Sequence, residues 1–124
     1  MIRYTLPIPS TSLITDPEFA MLMGRECVLR YSYEIESGVT SEELKFEGVE
    51  AFKATYFTAC SIEMIDSYDN VKEIVDSDWL RTVESNLRNN QATVPNLSHL
   101  RIYFDDGPCY EFICTSLTVS SNTR

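Results

Sequence analysis

The sequence contains a single histidine, one tryptophan, four glycines and five prolines among its 124 residues. One histidine excludes any site that needs two imidazoles, and no phosphate loop, nucleophile elbow, zinc-protease motif or dinucleotide-binding glycine pattern occurs. Bases are scarce as well, because ten lysines and arginines face nineteen acids and leave a net charge of -9. A protein with a negative net charge does not neutralise the phosphates of a nucleic acid. We therefore expect no nucleic-acid partner, no metal and no cofactor.

The chain also lacks the hydrophobic runs that would direct it to or through a membrane. No 18 apolar residues follow one another, and residues 1–9 carry one base and no apolar run of signal-peptide length. We expect a cytoplasmic protein with no membrane partner and with reduced thiols. No CxxC motif links the four cysteines, and Cys27 lies in an apolar alternation typical of a core position. The cysteines are Cys27, Cys60, Cys109 and Cys114.

What is present indicates one α+β domain, residues 1–124. Apolar and polar residues alternate with period two in several segments, which is the pattern of half-buried strands. The predicted strands cover residues 2–8, 27–36, 44–57, 100–105 and 109–119. Their order around the predicted helices favours a mainly antiparallel sheet of four to five strands, with two or three helices on one face.

Three helix starts can be identified from capping residues. Asp16 followed by Pro17 predicts a short helix over residues 17–23, and Ser61 and Ser77 are N-cap candidates for two more. After Ser77, four apolar residues recur at helical spacing, which predicts a helix that lies on the sheet with a buried Trp79. The stripe consists of Trp79, Leu80, Val83 and Leu87.

The negative charge is confined to the middle of the chain. Residues 34–84 hold thirteen acids and four bases, whereas the flanks on both sides are neutral. Such an asymmetry predicts a field that attracts a basic protein partner. Charge that only keeps the protein soluble is the alternative. The candidate binding acids form two groups, Glu42, Glu43 and Glu47, and Glu63, Asp66 and Asp69.

Two further acids are candidates for catalysis in a small hydrolase or ligand-binding domain. Glu50 shares a strand face with Phe46 if the strand is regular, and burial would raise its pKa toward that of a general acid or base. A bulge at Gly48 would reverse that facing. Glu111 occupies a similar position in the last strand, and a pocket that holds both acids is the condition for this alternative.

A second candidate binding surface lies on the strand before the final turn. His99, Arg101 and Tyr103 project from one side of that strand, and a basic and aromatic row suits a carboxylate ligand or a protein contact. An ordinary solvated sheet face is the alternative. The sequence does not indicate an oligomeric state.

Residues 48–71 (GVEAFKATYFTACSIEMIDSYDNV) and 99–114 (HLRIYFDDGPCYEFIC) resemble stretches found in small bacterial proteins, some of which are suspected to be immunity-type or other interaction proteins. The resemblance covers less than half of the chain and includes no catalytic motif. It implies a non-catalytic interaction protein of the kind that inhibits a basic enzyme. We therefore expect an acidic interaction module rather than an enzyme.

Overall fold

Within residues 1–123, which the computed structural model describes, nine β-strands form two antiparallel sheets. The five-stranded sheet has the order β1 (Ile2–Thr5), β6 (Asn70–Glu73), β7 (Ser98–Tyr103), β8 (Cys109–Cys114) and β5 (Ala51–Thr55). The four-stranded sheet has the order β2 (Glu18–Leu22), β3 (Glu26–Ile35), β4 (Gly38–Glu47) and β9 (Ser116–Thr123). The predicted mainly antiparallel architecture is confirmed, but the strands divide between two sheets.

Two α-helices lie on the outer face of the five-stranded sheet and pack against β7: α1 (Ile62–Ile65) and α2 (Asp78–Asn89). Both begin where the capping residues predict. The Ser61 hydroxyl accepts a hydrogen bond from the N–H of Met64, and the Ser77 hydroxyl accepts one from the N–H of Leu80. Trp79 is half-buried rather than buried, and the Lys53 ammonium lies 4.4 Å from the centroid of its ring.

The core lies between the inner faces of the two sheets. The ring of Phe46 in β4 stacks on that of Phe112 in β8, with 3.9 Å between centroids, so side chains from both sheets meet directly. Inward residues alternate along each strand, as the period-two pattern predicts. Cys27 belongs to this core, as expected. The largest fully buried apolar side chains are Tyr31, Phe46, Phe104, Phe112, Leu29, Leu44, Leu100, Ile102 and Ile113.

A sharp corner at Gly48 explains why the predicted strand over residues 44–57 divides in two. β4 pairs with β9 in one sheet, whereas β5 pairs with β8 in the other, so both chain segments change sheet at the same place. Gly48 has a φ of 61°, and a Cβ there would lie 2.3 Å from Thr115 Oγ1. Only glycine fits this close approach. The Thr115 N–H donates to the Glu47 carbonyl across the corner.

The helix predicted over residues 17–23 is wrong, because these residues form strand β2. A helix of seven residues is marginal by itself. Pairing with β3 satisfies the backbone, and it places the Phe19 ring 5.3 Å from Phe52 and 5.7 Å from Tyr110. Tertiary packing therefore outweighs the helix-start signal at Asp16 and Pro17. Strand β6, which has no clear alternation, was not predicted.

Candidate functional site

The two predicted groups of acids lie on different faces of the molecule. Glu43 and Glu47 project from the outer face of the four-stranded sheet, where Arg30 binds Glu43 at 2.6 Å and the Thr118 hydroxyl donates to Glu47 at 2.6 Å. Glu63 lies on α1 and Asp66 is the C-cap of that helix, above the five-stranded sheet. The charged segment is therefore not one continuous surface, and each group must be considered separately.

The prediction that Glu42 binds a partner is wrong, because its side chain is buried between the sheets. Three tyrosine hydroxyls donate to its carboxylate: Tyr4 at 2.5 Å, Tyr31 at 2.7 Å and Tyr33 at 3.0 Å. Burial raises the pKa of all three tyrosines, and their hydrogen bonds to the Glu42 carboxylate raise it further. These hydroxyls therefore stay protonated and keep donating. Alternation continued back from Phe46 and Leu44 would have placed Glu42 inward.

Asp69 has a structural role in the fold, and its role in binding a partner stays a prediction. Its backbone is left-handed, with a φ of 58°. Its Oδ2 accepts a hydrogen bond from the N–H of Ser10, and its carbonyl accepts one from the N–H of Leu6. Asp69 thus holds the segment after β1 against the turn before β6. Aspartate is one of the few residues that tolerates this conformation.

The candidate binding row on β7 does not form an open surface, and neither does the solvated face that was its alternative, since the helices cover this strand. His99 and Tyr103 are buried, and Arg101 is half-buried. The rings of Trp79 and His99 meet at nearly a right angle, with 5.1 Å between centroids. Alternation correctly places the three side chains on one face of the strand. It cannot show that α1 and α2 lie over that face.

A buried chain of hydrogen bonds connects the start of α2 to the five-stranded sheet. The Ser77 Oγ and His99 Nδ1 lie 2.7 Å apart, and His99 Nε2 lies 2.8 Å from Glu111 Oε1. A carboxylate only accepts, so Nε2–H donates to Glu111, and in a neutral ring Nδ1 accepts the Ser77 proton. Because Ser77 also caps α2, every polar group along the chain is satisfied.

Glu111 is the anion at the centre of this cluster, and only 1% of the residue is exposed. The Arg101 Nε donates to Oε1 at 2.8 Å, and Lys53 Nζ lies 3.7 Å from Oε2. Burial by itself would raise the pKa of Glu111. The hydrogen bonds from His99 and Arg101, with the positive charges of Arg101 and Lys53, outweigh that effect and hold the pKa at about 2. Glu111 is therefore a permanent, enclosed carboxylate at neutral pH and not a general acid.

Glu50 lies in a different place. It follows the corner at Gly48, forms an ion pair with Arg25 and lines an open groove of about 500 Å³ between β2 and β5. Glu111 is not among the residues that line this groove. The two acids therefore share no site there, and the condition for the hydrolase alternative is not met in this groove.

The cysteines offer no activated nucleophile among the described residues. All four are free thiols, and burial raises the pKa of Cys109 and of Cys114 to about 12. Cys60 is half-buried, and its thiol lies 3.5 Å from the carbonyls of Thr55 and Tyr56. Burial raises its pKa also. Within residues 1–123 no three histidine, cysteine or acidic side chains are grouped so as to hold a metal ion.

One surface with interface character is the helical layer, which we define as residues 61–89 and which includes β6 as well as the two helices. An open groove of about 470 Å³ runs between α1 and the segment after β6. Two of its apolar side chains are largely exposed, Ile62 at 88% and Val75 at 72%. The acids Glu63, Asp66 and Glu73 line the same groove, together with the bases Lys72 and Arg101. Exposed apolar side chains within a charged rim are the usual anatomy of a protein-binding surface.

Comparison of the chain with protein-family models, with curated proteins and with solved structures gives no match. Neither helix formed by the described residues has the length and apolar composition needed to cross a membrane.

Proposed function

We propose that this protein is a non-catalytic interaction module whose acidic helical layer binds a basic surface on a protein partner. The observation that carries the proposal is the groove at Ile62 and Val75, where exposed apolar side chains lie within a charged rim, in a segment that has an excess of acids. The apolar side chains would supply contact area that loses its water on binding. The acids would accelerate the encounter and select a partner of opposite charge.

The balance of charge in the helical layer supports the sign of the partner. The helical layer contains seven acids and three bases, Lys72, Arg81 and Arg88. Lys72 binds Asp66 at 3.0 Å, and Arg81 binds Asp78, so two of the three bases are already engaged. Glu63 and Asp76 form no ion pair with any described residue, and both are exposed. The layer therefore keeps an excess of negative charge that a basic partner would neutralise.

The acids of the four-stranded sheet are less available for binding a basic partner. Glu43 is already paired with Arg30, and Glu42 is buried. Glu47 accepts a hydrogen bond from the Thr118 hydroxyl of the same sheet. An immunity or inhibitor protein, the class that the sequence resemblance implies, uses an acidic surface in the same way against a basic enzyme. A partner of this kind is the specific form of the proposal.

The test uses the purified protein as bait, with Glu63→Lys/Asp66→Lys as the variant and Glu34→Lys/Glu36→Lys as the matched control. Both doubles change the net charge by the same amount at exposed positions, but the control lies at the tip of the β3–β4 hairpin. We expect the wild-type bait and the control bait to retain one basic protein, and we expect the α1 variant not to retain it. Its association rate should fall steeply as salt shortens the Debye length to about 10 Å and below.

Equal retention by all three baits, with folding confirmed by circular dichroism, would overturn the proposal. So would a partner whose association rate is insensitive to salt and to the α1 charges.

A further inference from the structure

Strand β2 is one of the two edges of the four-stranded sheet, and it is poorly protected against pairing. Proteins usually protect such edges with charges, prolines or bulges. Two other edges follow that rule, since β1 has Arg3 and an irregular register and β5 has Lys53 at its centre. The fourth edge, β9, carries mainly serine and threonine. Residues 19–22 of β2 are Phe-Ala-Met-Leu, with no charge, and β2 pairs with β3 in unbroken register.

The unprotected edge coincides with a concentration of exposed apolar side chains. Met21 is 65% exposed and Met23, in the following turn, is 94% exposed. Leu22 is exposed beside them, and Phe52 of β5 is exposed on the far side of the groove that Glu50 lines. A flat strand edge with apolar side chains on it is a template for a further strand.

We propose that two copies of this chain pair through β2, antiparallel and about a two-fold axis at Ala20, to join their four-stranded sheets into one of eight strands. In this register Phe19 lies opposite Met21 of the second copy, and Ala20 lies opposite Ala20. The interface is isologous, because the same strand serves on both sides. It lies on a different sheet from the helical layer, so it is independent of the proposed function.

Charge complementarity favours a second copy as the occupant. Asp16 and Glu18 lie at the beginning of β2, and Arg25 lies just beyond its end. Antiparallel pairing about Ala20 places Asp16 of one copy opposite Gly24 of the other and therefore beside its Arg25, whereas Glu26 lies opposite the uncharged Ile14. No like charges lie directly opposite each other, because Glu18 faces Leu22 of the second copy. The Arg25 side chain is largely exposed and has one ion pair, to Glu50, so its guanidinium group can donate hydrogen bonds to a second carboxylate.

The experiment measures molar mass by sedimentation equilibrium over a range of concentrations. Ala20 is exposed on the outer face, and Ala20→Lys places two like charges opposite each other at the two-fold axis. Ala20→Glu does the same with the other sign. Ser120→Lys is the matched control, because it adds a lysine to the outer face of the same sheet at the opposite edge.

We expect the wild type and Ser120→Lys to dimerise, and each Ala20 variant to raise the dissociation constant at least about fivefold. An equimolar mixture of Ala20→Lys and Ala20→Glu should dimerise again, because opposite charges then meet at the axis. This recovery also separates lost pairing from lost folding.

A wild type that remains monomeric at about 1 mM, where even weak pairing is visible, would overturn the proposal. The same conclusion would follow if the Ala20 variants dimerised like the wild type, or if the mixture stayed monomeric. If the wild type is a monomer, an extended segment of another protein would be the occupant of the β2 edge.

Discussion

Glu42 and Glu111 are both buried glutamates, yet the protein stabilises them in opposite ways. Glu42 lies between the two sheets and accepts hydrogen bonds from three neutral tyrosine hydroxyls. Glu111 lies on the outer face of the five-stranded sheet, beneath the helices, and its partners are His99 and the cations Arg101 and Lys53. One carboxylate thus has only neutral donors, whereas the other belongs to a charged network.

The difference shows what each region would lose if its carboxylate were removed. Removing an anion from an enclosed ion pair leaves a buried charge without compensation, which is among the most destabilising changes known. Removing the acceptor of neutral hydroxyls leaves only polar groups, whose desolvation costs less. Glu111 should therefore contribute more to stability than Glu42 does, although both are buried.

The largest effect is expected for Glu111→Ala. We expect the free energy of unfolding to fall by about 4 kcal/mol, because Arg101 would keep its charge in a site with no anion. Urea denaturation followed by circular dichroism measures this loss. Glu43→Ala, which breaks the surface pair with Arg30, is the control and should cost less than about 1 kcal/mol. Equal losses in the two variants would contradict the comparison.

Acid should reproduce most of that loss in the wild type. The pKa of Glu111 is about 2 in the folded protein, below its ordinary value of 4.5. A carboxyl with a lowered pKa stabilises the fold above its unfolded pKa, and this contribution disappears as the pH falls from about 4.5 toward 2. Its full size is about 3 kcal/mol.

Urea denaturation at a series of acidic pH values measures this dependence. Glu111→Gln should remove the Glu111 contribution and flatten the pH profile below 4.5. A variant with the same acid dependence as the wild type would show that other carboxyls are responsible.

Removal of the other buried glutamate is expected to cost less. Glu42→Ala should lower the free energy of unfolding by about 2 kcal/mol, since it leaves three neutral hydroxyls without their acceptor. Glu42→Gln keeps one acceptor oxygen and should cost less again. A larger loss for Glu42→Ala than for Glu111→Ala would reverse the proposed ranking of the two sites.

Single tyrosines should contribute still less. Tyr31→Phe removes one hydroxyl but keeps the ring that packs 6.0 Å from Phe104, so we expect a loss of about 1 kcal/mol. Tyr33→Phe should cost less, because its hydroxyl is farther from Glu42, at 3.0 Å against 2.7 Å. Thermal unfolding of the two variants, side by side, measures the order. A negligible loss in Tyr31→Phe would mean that the network adds little to stability.

The smallest effect on stability is expected at the exposed acids. Glu63→Lys/Asp66→Lys should change the free energy of unfolding by less than about 0.5 kcal/mol, because both side chains are exposed and Asp66 has only a surface ion pair. The same urea titration measures it. A loss as large as that of a buried glutamate would assign these acids to the fold rather than to binding.

Several features could be predicted from local signals. The N-caps at Ser61 and Ser77 are set by residues three positions apart, so the starts of α1 and α2 were predicted correctly. The β3–β4 hairpin and the pair β7 and β8 also follow from alternation along each strand. The helix predicted at Pro17 failed because its capping signal was weaker than the packing of Phe19.

The candidate site was predicted less well, because charge counting does not show which side chains face outward. Glu63 and Asp66 are exposed as predicted, but Glu42 is buried and Asp69 is a structural residue. For Glu42, alternation along the strand predicts an inward-facing side chain. The predicted strand began only at residue 44, so this alternation was not applied to Glu42.

By itself, the sequence determined the mainly antiparallel strands, the two capped helices and the confinement of negative charge to residues 34–84, since each depends on neighbouring residues. Tertiary structure alone decided that the strands form two sheets, that Gly48 marks the corner between them, and that helices cover His99. Alternation shows which residues share a face, but whether that face is buried depends on elements distant in the chain. Burial in turn decides whether a glutamate is a surface charge or the centre of a buried network.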